Sequence, residues 1–371
     1  MIPLRLKAQV EGGDCAPFVA ILQARSDTNN GLTPAKLYER HRADLVSEGN
    51  GKLSFLVHSR TLQLHHPQFD DIRGDVLLVV PERGIAHRLI RSRSNHNSLL
   101  VTEQCDQLCV MCSQPPKKEH QDLFEHFLIA AQLAPRNVLL GISGGEPTLH
   151  KRALFDFIKR VHESRPDIRF HILTNAQHFT SADIAIFEQP AFKDVCWGVP
   201  IYSADAQEHD AVVGKQGAFD TLLHSLTILM RSSSYVELRT VLMRANEPGL
   251  GKLASFVGTH LSFSAVWAIM QLENIGFARK VWDEIFFDNS ADFSQLALAI
   301  NAATARGIKV ELYNFPLCTI PIPYRKFAIR SISDWKQRYL AACTKCSEQQ
   351  RCAGFFEWYP EERGFSRIHP L

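Results

Sequence analysis

The sequence has little charge imbalance, since 41 Lys and Arg stand against 39 Asp and Glu for a formal net charge of +2. No broad electrostatic attraction to nucleic acid or to a membrane surface is expected, so partners must be sought at particular sites. No run approaches the roughly 20 apolar residues that span a bilayer, and the opening MIPLRLKAQVEGGDC has no apolar signal core. A soluble, cytoplasmic protein without a nucleic-acid or membrane partner is the expectation. Internal repeats and low-complexity tracts are also missing, which sets repeat arrays aside. Disulfides are the last absence. Of nine cysteines, seven fall in two metal-ligand patterns, and such thiols need a reducing compartment. Cys15 and Cys196 are left over, and Cys196 reads as a small buried hydrophobe in an apolar strand pattern.

What is present is a length of 371 residues, enough for about two domains or one large α/β domain with appendages. Between residues 97 and 314 strand-like and helix-like segments alternate, the pattern of a parallel sheet wound by crossover helices. Strands are expected at 98–103, 137–143, 168–174, 194–202, 236–243, 266–272 and 308–313, with helices such as 120–133, 149–163, 219–231 and 293–306. Residues 1–95 instead show short β-rich runs at 10–20, 53–57 and 75–80 and a helical stretch at 34–45, joined by polar and Pro/Gly turns. They are expected to form a small, mostly β accessory domain. Its His58, His65 and His66 are read as exposed or hydrogen-bonded histidines rather than as a metal site. The division is thus 1–95, then 96–315 as an α/β body, then 316–371 as a C-terminal segment.

Cys105, Cys109 and Cys112 form C-x3-C-x2-C after the apolar run Leu99 to Thr102. Three thiolates in this spacing suit a cuboidal four-iron cluster with one iron left open. Spacings of 0, 4 and 7 also share a helix face, so three structural cysteines are an alternative, as is zinc, which usually takes a fourth protein ligand. The strand at 137–143 leads into Gly144, Gly145, Glu146 and Pro147, good turn chemistry at a strand end. Both features fall at C-terminal ends of strands, where parallel α/β folds collect their sites. Cys318 and then Cys343, Cys346 and Cys352, in C-x2-C-x5-C, offer four thiolates, the full set for a second [4Fe-4S] cluster or for an all-thiolate zinc staple.

The triplet with its Gly-Gly-Glu-Pro tetrad resembles the radical S-adenosylmethionine (SAM) superfamily. That resemblance implies a partial (β/α)6 barrel and an open iron that chelates SAM, whose cleavage gives a 5′-deoxyadenosyl radical. It implies that Cys105, Cys109 and Cys112 hold the catalytic cluster, with Leu108 and Met111 excluding water from it. The backbone of Gly144, Gly145 and Glu146, followed by Pro147, would line the SAM amino group, with the Glu146 carboxylate beside the ammonium. Thr174, Asn175 and Ser203 would supply polar contacts, Arg239 would pair with the SAM carboxylate, and Gly276 after Asn274 is the one hint of an adenine contact. The last segment is similar to the shortened SPASM form called a twitch domain, with one auxiliary cluster. Over its whole length the chain resembles the His-Xaa-Ser system maturases of the HxsC type, on QCDQLCVMCSQPPK, GISGGEPTLHK and SISDWKQRYLAACTKC. The implied activity is oxidation or crosslinking of a ribosomally made precursor peptide. A second radical SAM maturase and a reductant such as flavodoxin or ferredoxin are the implied partners. The alternatives are a radical SAM enzyme acting on a small molecule or nucleoside, and a non-catalytic iron-sulfur carrier or scaffold.

Overall fold

A computed structural model describes residues 3–13, 15–29 and 31–371. The first ninety or so residues form a closed barrel in the order β1-β5-β4-β3-β2-β6-β7. Its strands are β1 (Arg5–Glu11), β2 (Phe18–Gln23), β3 (Arg42–Gly49), β4 (Lys52–Val57), β5 (Arg60–His65), β6 (Val76–Val80) and β7 (Ile85–Ile90), with α1 (Ala35–His41) between β2 and β3. Leu53, Phe55, Leu62, Leu64, Leu77 and Val79 alternate inward and fill it. The helix expected at 34–45 stops at His41. From Arg42 the chain pairs with β2 on one side and β4 on the other, and two ladders outweigh the local helical pattern. His58 and His65 are exposed, while His66 is buried with its Nδ1 bonded to the Gln68 carbonyl.

The second layer is an α/β unit. Its strands are β8 (Asn97–Thr102), β9 (Leu139–Gly144), β10 (Arg169–Leu173), β11 (Val195–Pro200), β12 (Tyr235–Val241), β13 (Val266–Met270) and β14 (Val310–Tyr313). They lie side by side in sequence order, all parallel, with the short β15 (Ala328–Ile329) at one edge. The longer crossover helices are α2 (Phe124–Leu133), α3 (Lys151–Ser164), α5 (Ala206–Val213), α6 (Ala218–Arg231), α7 (Leu250–His260) and α9 (Ser294–Thr304). Short α4 (Ile184–Phe187) and α8 (Trp282–Ile285) complete the series. The protein is therefore mixed α/β, an eight-stranded parallel sheet beside a separate β-barrel. The helix expected from His120 begins at Phe124, whose N–H bonds the Asp122 carboxylate.

Alternate residues of each strand point to opposite faces. One face packs against helices: Trp197 of β11 is fully buried, with Phe155, Phe179 and Phe187 ringed around it at centroid distances of 5.1–6.5 Å. The other face is concave. On it side chains two strands apart meet, His171 of β10 with Glu237 of β12 and Tyr313 of β14 with the same carboxylate, which a flat sheet would hold roughly 10 Å apart. The barrel and sheet share apolar packing, because Val19, Ile21, Val76 and Leu78 join the cluster that contains Phe124, Phe127 and Leu128 of α2. Residues 316–371 run mainly as loops and single turns, tied back by Asp334, whose carboxylate takes two hydrogen bonds from Arg91 at 2.5 and 2.8 Å. No helix among the described residues is long and apolar enough to cross a membrane.

Candidate active site

The loop leaving β8 carries the first three cysteines, and its path is fixed by backbone bonds rather than by a helix. Leu108 and Val110 donate to the carbonyls of Val213 and Val212 at the end of α5, both at 3.0 Å, and Phe277 donates to the carbonyl of Cys112 at 2.9 Å. Three glycines crowd the same loop, two of them at the carbonyls of Leu108 and Cys112. A Cβ on Gly145 would sit 2.1 Å from the Gln104 oxygen and 3.0 Å from Cys105 Cβ. One on Gly214 would lie 2.7 Å from the Leu108 oxygen, and one on Gly276 would lie 2.2 Å from the Cys112 oxygen. Close approach of backbone to backbone at each point needs a residue without a side chain. Gly276, expected near adenine, meets the cysteine loop at the Cys112 carbonyl.

Cys105, Cys109 and Cys112 are half-buried and unbridged. Burial pushes the Cys105 thiol up to about 11 and Cys109 to about 12, and Cys112 nearby raises both further. Such a group of thiols stays protonated until a cation takes the place of the protons. Among the described residues, three donor atoms of His, Cys, Asp or Glu come within 4.8 Å of one another only in a separate group on the sheet. The three sulfurs of the triplet do not all lie within that distance of one another. Met111 is buried beside them, but Leu108 is 60% exposed and shields nothing, since its backbone and not its side chain is what the loop pins.

Glu146, expected beside the SAM ammonium, also braces the turn. Its carboxylate is fully buried and accepts from Thr148 N (2.8 Å), Thr148 Oγ1 (2.5 Å), Thr174 Oγ1 (2.6 Å) and Asn175 N (2.5 Å). Burial raises its pKa and these donors oppose the rise. With three donors on Oε1 and Asn175 N on Oε2 it knits the end of β9 to the end of β10. Thr174 is spent on the same bond. Ser203 bonds Glu208 Oε2 at 2.6 Å and receives Asp205 N at 3.0 Å, so it shapes the start of α5. Arg239 is ion-paired with Glu237 and lies over the Tyr313 ring at 5.7 Å. It lies on the concave face of the sheet. Gly144 and Gly145 do meet that loop, with Gly145 N bonded to Thr102 O at 2.9 Å and Glu146 N to Gln104 O at 2.7 Å.

Sequence reasoning missed Asp106. Set between Cys105 and Cys109, its carboxylate takes Asn175 Nδ2 at 2.8 Å, has His178 Nε2 at 3.3 Å and is ion-paired with Lys215. Burial pushes its pKa up, but His178, Lys215 and Asn175 together more than offset that and hold it well below the usual carboxylate range. Asp106 ties the cysteine loop to the loop after β10 and to the α5–α6 turn. Nothing in the sequence spacing marks it, because its partners lie 69 and 109 residues away.

Cys318, Cys343, Cys346 and Cys352 line one cavity, together with Tyr339, Phe355 and His369. Backbone N–H groups already point at two of the sulfurs: Leu317 N and Gly354 N each lie 3.3 Å from Cys352 Sγ, and Leu371 N lies 3.4 Å from Cys346 Sγ. Donors of this kind stabilise thiolates. Burial pushes the Cys318 thiol up to about 11.

No protein-family model matches the chain, and no curated protein matches it. Among solved structures it is similar to SuiB of Streptococcus suis, at 14% identity and a TM-score of 0.47 over 59% of this chain and 49% of that one. SuiB bound to its precursor peptide SuiA gives 15% identity and a TM-score of 0.48 over 60% and 49%. A radical SAM methyltransferase from Sphaerobacter thermophilus gives 13% and 0.45 over 73% and 77%. The matched part spans about half the length of the SuiB chain.

Proposed function

We propose that the protein is a radical SAM enzyme that modifies a ribosomally made precursor peptide. The observation that carries the catalytic part is the cysteine loop. Three unbridged thiols at the C-terminal end of the first strand of a parallel sheet are strapped by Gly145, Gly214 and Gly276, directly against the Gly144–Pro147 turn. The residues suit the group they would hold, three unbridged thiols on one loop and a glycine turn that leaves room for close backbone approach. When bound, a four-iron cluster with one open iron supplies one-electron cleavage of SAM and so a 5′-deoxyadenosyl radical.

The chain's own residues fix the setting for that chemistry. Cys105, Cys109 and Cys112 would ligate, Met111 would cover the site on one side, and Asp106 with Lys215 and Asn175 would hold the loop in place. Backbone groups of Gly144, Gly145 and Glu146 would face SAM, while the Glu146 carboxylate keeps their turn rigid through Thr148, Thr174 and Asn175. Cys318, Cys343, Cys346 and Cys352 would hold a second cluster with no open iron, suited to accepting the substrate's electron in a net oxidation. The peptide substrate, with His-Xaa-Ser repeats, and a second maturase as partner are supported by the sequence resemblance. A reductant such as flavodoxin or ferredoxin would supply the electron.

The test has two arms. Anaerobically reconstituted protein with dithionite and SAM is expected to release 5′-deoxyadenosine, and a variant with Cys105, Cys109 and Cys112 all changed to Ala is expected to release none. Equal release by both sinks the catalytic reading. Coexpression with a precursor peptide carrying His-Xaa-Ser repeats, followed by mass spectrometry, is expected to show a peptide mass loss that depends on Cys105. An unmodified peptide in the presence of active enzyme and partner overturns the substrate assignment alone.

A further inference from the structure

Cys196, left over by the sequence patterns, does not stand by itself. It lies on the concave face of the sheet beside His171, its register partner on β10, and Glu237 on β12. The imidazole nitrogen, the thiol sulfur and a carboxylate oxygen all fall within 4.8 Å of one another, the one such trio among the described residues. Gly198, two residues along from Cys196, keeps the space open, because a Cβ there would sit 3.0 Å from His171 Nε2. That nitrogen is buried, makes no hydrogen bond and stands 3.3 Å from Glu237 Oε1.

We propose that His171, Cys196 and Glu237 form a mononuclear site for a zinc-class divalent cation, separate from both sets of cluster cysteines. The donor set is one nitrogen, one sulfur and one oxygen, which suits borderline dications and excludes magnesium and calcium. Zinc bonds of roughly 2.0–2.3 Å place donors about 3.3–3.8 Å apart, so small side-chain rotations close this trio on a metal. Three protein ligands leave a fourth position for water or a donor atom of a bound molecule. Glu237 already has the support a ligating carboxylate needs, an ion pair from Arg239 and the Tyr313 hydroxyl donating to Oε2 at 3.0 Å. Metal binding exchanges the Cys196 S–H proton for a sulfur–metal bond and releases that proton, with no change in oxidation state. An ion-pair network of His171, Glu237 and Arg239 would explain the charges. It leaves the neighbouring thiol without a purpose.

The site does not depend on the radical SAM reading, and its test is kept apart from it. Protein with its iron sites already filled is given a small excess of zinc chloride, desalted, and assayed for zinc and iron by mass spectrometry. One equivalent of retained zinc is expected, with an absorption-edge signature of one sulfur at about 2.3 Å and two lighter donors at about 2.0–2.1 Å. Cys196→Ala and His171→Gln are each expected to weaken zinc retention about tenfold or more at unchanged iron content. His171→Gln serves as the second variant should loss of the thiol disturb the sheet. The proposal is overturned if wild type retains no zinc, if both variants retain it fully, or if the shell is all sulfur, which would place the metal on the cluster cysteines.

Discussion

A single carboxylate between Cys105 and Cys109 does more for the site's geometry than most of the side chains expected to touch the cofactor. Asp106 joins three loops through Asn175, His178 and Lys215. Asp106→Ala leaves Lys215 and His178 facing each other without their anion. It is expected to lower stability by about 2 kcal/mol, the scale for a lost charge-assisted hydrogen bond. The urea midpoint and the iron content of the purified variant check this, and an unchanged midpoint would remove Asp106 as a tether. Gly145→Ala acts on the same loop by sterics, since its Cβ would meet the Gln104 carbonyl at 2.1 Å. The expected result is loss of about four of about eight irons on reconstitution, with the C-terminal cluster kept. Full iron content in that variant would show that the loop has slack. The cysteine triplet and the glycine turn were legible in the sequence because metal ligation and close backbone approach each restrict residue type. Asp106 was not, because an Asp is ordinary in any loop until its partners arrive from far along the chain.

Helix α5 holds the cysteine loop by its last carbonyls, and its own packing is pH-sensitive. His209 on α5 is buried, and desolvation pushes its pKa down to about 4 from an ordinary 6.5, so the folded state keeps it neutral. Below pH 6.5 the unfolded chain binds a proton that the folded chain refuses. Stability therefore falls as pH drops from about 6.5 to about 4 and levels off below, by about 3 kcal/mol from this one group. Thermal melts across that window are expected to show the decline, and His209→Gln is expected to flatten it. A slope identical in wild type and variant would assign the effect to other groups. Arg165 plays the comparable part for α2. Fully buried, it donates to the carbonyls of Ala134 and Pro135, both at 2.9 Å, and to Asp167, whose pKa its hydrogen bonds draw down to about 2. Arg165→Met strands those acceptors and is expected to cost about 3 kcal/mol, read as a lowered denaturation midpoint.

At the scale of the whole molecule, two cysteine sets hang on one scaffold, and their separate roles can be pulled apart. Cys346→Ala is expected to leave 5′-deoxyadenosine formation intact while modified peptide is lost or strongly reduced. A soluble variant that modifies peptide at the wild-type rate would reduce the second set to a structural accessory. All seven strands of the sheet expected from 98 to 313 are present within a few residues of their expected bounds, because alternating apolar runs broken by helical periods leave one arrangement that buries both. The sequence by itself determined that alternation, the strand end that carries Cys105, Cys109 and Cys112, and the spacing of the two cysteine sets. Tertiary structure alone decided the closed barrel at the front, where β3 exists only because two neighbours pair with it. It also turned Glu146, Thr174 and Ser203 inward to hold the backbone, and brought His171, Cys196 and Glu237 together from three strands. Local pattern records which residues want burial and which can bind metal. It cannot record which polar group meets which, because that depends on distances set only when strands far apart in the chain lie side by side.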